Sequence, residues 1–92
     1  MLPVSWSQEA QEDLAEIQFY IAQDNPSAAF DLRDLIERGA ECLPFMPFAF
    51  RAGRIAGTRE YLVHPNYILV YRIGHTAIEI LRVIHGRRQY PE

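Results

Sequence analysis

The stretch Thr58–Ile84, TREYLVHPNYILVYRIGHTAIEILRVI, decides the fold. Three runs within it, Thr58–His64, Tyr67–Ile73 and Ala77–Ile84, have the β-branched and aromatic content of strands, and Pro65-Asn66 and Gly74-His75 supply two-residue turns between them. With both turns at that length, His64 faces Tyr67 and Tyr67 faces Arg82, so the three gather at one end of one sheet face. On the other face Arg59 stands across from Arg72, with Glu79 diagonal to Arg72, an ion-pair network on a partly buried surface. A one-residue change of register would dissolve both groups.

Upstream the period changes. Ser7 is placed as an N-cap with Glu9 behind it, and Ala10, Leu14, Ile17 and Ile21 recur at helical spacing to a helix end near Gln23. The opposite face carries Glu9, Glu12, Asp13 and Glu16, which read as solvated surface, since nothing apolar surrounds them to separate their pKa values. Asn25-Pro26 starts a second helix, with Ala29, Leu32, Leu35 or Ile36 and Leu43 as its buried stripe. So short a connection makes the two helices an antiparallel hairpin. Pro3–Trp6 is a short opening strand, with Trp6 in the core. Pro44–Phe50 is a loop whose aromatics cap the core, and Arg51–Gly57 is a flexible basic segment. The expected architecture is α+β, β-α-α-β-β-β, with the N-terminal helical hairpin packed on a small antiparallel sheet.

Ninety-two residues make a single domain, 1–92, with one core and little volume for a deep cavity. No apolar run approaches the roughly 20 residues of a membrane span, and the N-terminus lacks a secretion signal, so a cytoplasmic protein is expected. The lone Cys42 excludes an internal disulfide and a cysteine-based zinc cluster, and reads as a small buried hydrophobe. His64, His75 and His85 have no acidic or cysteine companions at ligand spacing, and Arg51–Gly57 lacks the Lys-Ser/Thr of a nucleotide loop, so no metal or cofactor is expected. The net charge of −3 hides a division: residues 1–41 hold nine acids and two arginines, whereas residues 42–92 hold seven arginines and three acids. There is no lysine. An all-arginine basic half suits an anionic partner, or else neutralises the acidic helices of its own fold.

Gly57–Ile73 (GTREYLVHPNYILVYRI) followed by Ile80–Arg88 (ILRVIHGRR) resembles the RelE/ParE superfamily of bacterial type II toxins. The likeness extends over nearly the whole chain, and its specific part is the C-terminal half. It implies a toxin held inactive by a cognate antitoxin that is partly disordered and folds on binding, in a complex that can form a higher-order assembly. The superfamily shares a scaffold and not an activity. Ribosome-dependent RelE-type members cleave mRNA and characteristically carry an Arg in the third strand, where this chain has Ile68. On that reading Arg82, His85, Tyr90 and Arg59 would carry the chemistry. ParE-type members poison DNA gyrase without hydrolytic chemistry, and the HPNYILVYRI hairpin with the RVIHGRRQYP ending resembles them more closely, in particular the PaaA–ParE type. That resemblance implies no catalytic set. Arg51, Arg54, Arg59, Arg82, Arg87, Arg88 and Tyr90 become contacts to target or antitoxin, and His85 closes the last strand with a hydrogen bond. A third reading is an inactive member that only binds its antitoxin.

Overall fold

The computed structural model describes residues 1–91. The chain runs β1 (Val4–Trp6), α1 (Gln8–Ala22), α2 (Pro26–Cys42), a 3-10 turn (Leu43–Phe45), β2 (Arg51–Ala52), β3 (Arg59–His64), β4 (Tyr67–Ile73) and β5 (Ile78–His85). The strands form one sheet in the order β1-β5-β4-β3-β2. The helical hairpin lies on one face, which is the expected α+β arrangement. The sheet is mixed, however, because β1 runs parallel to β5 while the other pairs are antiparallel. The helical hairpin carries the chain from β1 at one edge to β2 at the other, and the meander β2–β5 returns it to lie parallel beside β1, with far more intervening chain than a parallel pair requires.

Local signals set the helix ends. Ser7 Oγ accepts from Ala10 N at 3.0 Å and donates to Leu81 O at 2.9 Å, so one hydroxyl caps α1 and ties it to β5. Asn25 Oδ1 accepts from Ala28 N at 3.1 Å, with Pro26 as the first helical residue. Ala10 and Leu14 of α1 meet Ile36 and Ala40 of α2 over Leu69, Tyr71, Ile78, Ile80 and Val83 of the sheet. Trp6 is half-buried against this cluster. Gly39 is buried where α2 crosses β3: a Cβ there would collide with the Val63 side chain.

The register departs from the expected pairing at three points. The β4–β5 connection spans residues 74–77, because Ile73 pairs with Ile78. One strand irregularity lies between Leu62 and His64, and another makes Tyr71 pair with Ile80 while Val70 pairs with Arg82, leaving Leu81 as the extra residue. Tyr67 therefore faces His85 and not Arg82, Arg59 faces Tyr71 and not Arg72, and Arg72 pairs directly with Glu79, which its guanidinium meets at 2.6 Å. Each bulge shifts the strand's parity, so the His64–Tyr67 contact survives with a different third member.

Other expectations are corrected by packing. Cys42 is exposed at the end of α2. Of the loop aromatics only Phe50 turns inward, stacking on Tyr61 at 4.0 Å, while Phe45 and Phe48 stand in solvent. Residues 51–57 are well tied: Gly53 N donates to Thr58 O, Arg54 N to the Glu60 carboxylate, and Thr58 Oγ1 to Ile55 O. Gly57 adopts φ 81°, a left-handed conformation that glycine takes without strain.

Candidate interaction site on the outer sheet face

The face of the sheet turned away from the helices brings most of the sequence-selected residues together. Across it, β2 to β5, runs the row Arg51, Glu60, Val70, Arg82, with Leu62, Ile68 and Ile84 beside it. Ile68, Val70 and Ile84 are buried, which is unusual for a face without helices. The chain after β5 explains it: Tyr90 folds back and packs on these three. Gly86 N donating to Asn66 O and Arg54 Nη1 reaching Arg88 O at 3.4 Å hold the tail over the sheet. Tyr90 thus lids the outer cluster, on the side opposite the helices.

The arginines here are already engaged. Glu60, with a side chain only 2% exposed, accepts from Arg51 Nη2 at 3.0 Å and from Arg54 N at 2.9 Å. A buried carboxylate is tolerated only when so satisfied. Arg82 is held more firmly. Its Nε and Nη2 donate to the two Asp13 oxygens at 2.8 and 3.1 Å, and its guanidinium carbon lies 5.8 Å from the Tyr90 ring centre. The hydrogen bonds that Arg82 donates to Asp13 raise its pKa, reinforced by the charges of Asp13 and Glu9, with burial opposing. Asp13 also accepts from Val83 N at 2.9 Å. The cause is topological: β1 covers β5 only as far as Ile80, so the open edge beyond it takes its partners from the α1 cap residue Ser7 and from Asp13 of α1.

The other selected residues lie elsewhere. Arg59 is on the helix-facing side, donating to Phe50 O at 2.9 Å and resting over the Phe48 ring at 5.1 Å. His85 also faces the helices, its ring edge-on to Tyr67 at 5.4 Å, and its Nδ1 accepts from Arg87 N at 3.1 Å. That bond closes the strand end. Burial first, then the neighbouring Tyr20, raises the Tyr67 pKa. Arg87 is exposed, with no ion pair among the described residues. Arg82 and Tyr90 are neighbours, but His85 and Arg59 do not join them around one point.

Two residues that matter here were not singled out from the sequence. Asp13 read as one of four solvated acids on a helix, and its contact lies 69 positions away. Glu60 had a signal, an acid placed within a strand otherwise rich in apolar residues and preceded by Arg51 and Arg54.

A family profile described as ParE toxin of type II toxin-antitoxin system, parDE, matches residues 4–90. The chain belongs to this family. The toxin is 38% identical over 90 residues to a protein of Sinorhizobium fredii named putative toxin Y4kP, covering 97% of this chain and 93% of that one. It is 32% identical over 90 residues to toxin RelE2 of Caulobacter vibrioides, covering 96% and 99%. Among solved structures, the chromosomal ParDE toxin–antitoxin system of P. aeruginosa contains a chain that superposes with a TM-score of 0.86 at 21% identity, over 92% of the toxin and 96% of that chain. The DinJ–YafQ complex of E. coli gives 0.64 at 13% identity, over 98% and 99%. At these identities the two structures speak to the fold. The toxin is thus a ParE-family member of the RelE/ParE superfamily, and its fold is theirs.

Proposed function

We propose that this toxin arrests growth by binding DNA gyrase in the manner of ParE toxins, without cleaving RNA, and that a cognate antitoxin neutralises it in the cytoplasm. One observation carries the reading: the two outer-face positions nearest the nuclease pattern, Ile68 and Arg82, offer no free cation to a phosphate. Cleavage by 2′-hydroxyl attack needs a base for the hydroxyl, a cation for the pentavalent phosphate and an acid for the leaving oxygen. Where RelE-type nucleases carry an Arg, Ile68 is 2% exposed beneath Tyr90. The neighbouring cation, Arg82, has its fork filled by Asp13. A phosphate would have to displace a bidentate carboxylate already in place.

A poison that traps an enzyme needs binding energy and no active site of its own. In the proposal the tail Arg87–Tyr90 and the arginines beside it make contacts to the target, and the antitoxin covers part of the same surface. The test uses purified toxin in two parallel reactions, gyrase with supercoiled plasmid and mRNA on translating ribosomes. Trapped, linearised DNA with intact mRNA is the expected result. The likeness to toxin RelE2 and the closeness of Arg82 to Tyr90 favour the second reading, a ribosome-dependent nuclease. Cut mRNA with untouched plasmid would establish that reading and overturn ours.

A further inference from the structure

The side of α1 that faces the end of β5 carries an open groove that meets the outer face only at Arg82 and Arg88. Three hollows share walls along it. The first is acidic, lined by Glu9, Glu12, Asp13 and Glu16 with Arg82 and Arg88. The second, a cavity of about 270 Å³, has Ile17 and Val83 as apolar lining, with Tyr20, Tyr67 and His85 adding three rings. The third continues past Phe19 and Tyr20 to Gln23. Asp13, Glu16 and Arg88 belong to the first two, Glu16 and Tyr20 to the last two, so that the carboxylates of the first hollow outnumber its two arginines. From Glu9 to Gln23 the groove follows about 21 Å of helix.

Its two ends differ chemically. At the acidic end Asp13 is neutralised by Arg82, but Glu12 and Glu16 form no ion pair among the described residues. At the other end Phe19 and Tyr20 stand 70% and 72% exposed, Tyr20 on the wall of the second hollow and both on the third, and the second hollow has room for an aromatic side chain. Large rings left in water around an unfilled ring-lined pocket are the composition of an anchor site in a protein interface.

We propose that this groove docks a segment of a protein partner that is basic at one end and carries an aromatic anchor at the other. Charge complementarity selects the occupant. Glu12 and Glu16 attract lysine or arginine and repel the acidic segment that the chain's arginine count suggests, and the outer-face arginines Arg51, Arg54 and Arg82 are already paired internally. The anchor enters between Tyr20 and Tyr67, over Ile17 and Val83. The proposal does not depend on whether gyrase or mRNA is the toxin's target.

A synthetic helix-forming peptide with lysines in its first turns and a tryptophan in its last tests this. Its controls carry glutamates for the lysines, or alanine for the tryptophan. With isotope-labelled toxin, the lysine peptide is expected to shift amides along Glu9–Gln23 and at Tyr67 and His85. It should bind at least about tenfold more tightly than the glutamate peptide, and loss of the tryptophan should weaken it about tenfold. Glu12→Gln with Glu16→Gln should erase the preference for lysine, and Tyr20→Ala the contribution of tryptophan. All three side chains are exposed, so circular dichroism should show each variant folded. Equal or tighter binding of the glutamate peptide, shifts confined to the outer face, or no binding by any peptide would overturn the proposal.

Discussion

At the scale of single residues, Asp13 is the most consequential side chain that packing brings to the outer face. Its oxygens serve both the Arg82 guanidinium and Val83 N, and the two side chains of the pair are only 11% and 21% exposed. Removing one partner of such a pair strands the other. Asp13→Ala should therefore destabilise the fold by about 2–4 kcal/mol, measured by urea unfolding. Arg82→Met should cost less, because Asp13 still caps Val83 N. An equal cost for the two would mean that the strand cap contributes nothing. Tyrosines set the alkaline limit. Burial raises the Tyr71 pKa above 10.0, partly offset by Arg59, and burial with Tyr20 raises that of Tyr67. The folded state thus favours the neutral phenols, and this stabilisation is complete below the unfolded value near 10 and lost as pH rises through the higher folded values. Unfolding midpoints should fall in that window, and Tyr71→Phe should blunt the fall. An unchanged profile in the variant would assign the alkaline loss to another group.

Among elements, the contact between α2 and β3 is set by one missing side chain. Helix propensity alone says that Gly39→Ala should stabilise α2 by about 1 kcal/mol. Its Cβ, however, would collide with Val63, and overpacking of a tight contact costs about 1–3 kcal/mol. The variant should unfold earlier than the parent, and adding Val63→Ala should recover most of the loss. In the sequence Gly39 is simply a residue of low helix propensity near the end of α2. The close strand that makes it necessary lies 24 positions away and gives no local sign. By contrast, the Ser7 and Asn25 caps were legible because their partners, Ala10 and Ala28, are three residues on.

For the whole molecule, the sheet is protected on both faces by different parts of the chain. Helices cover one, and the chain after β5 covers part of the other, with Tyr90 shielding Ile68, Val70 and Ile84 while Leu62 beside them stays exposed. Truncation after His85 should leave the helical hairpin and the sheet folded, because the main core uses none of the removed residues. It should expose the outer cluster and remove Arg87, Arg88 and Tyr90, lowering toxicity in a growth assay. Unchanged toxicity with an intact far-ultraviolet spectrum would remove the tail from the proposed interface.

The opening strand, the two helices, the three C-terminal strands, the α+β class and the family were determined by the sequence alone, since caps, turn residues and apolar periodicity act over a few positions, whereas the two-residue β2 lay in a segment that read as flexible. The hairpin Pro65-Asn66 and the helix start at Asn25-Pro26 stand where those local rules put them. Tertiary structure decided the register past Leu62 and Leu81, the parallel pairing of β1 with β5, and the partner of each arginine. A bulge of one residue reverses the face of every side chain beyond it, and no periodicity announces it. For that reason Arg82, expected beside His64 and Tyr67, lies on the opposite face, clasped by a carboxylate from the other end of the chain.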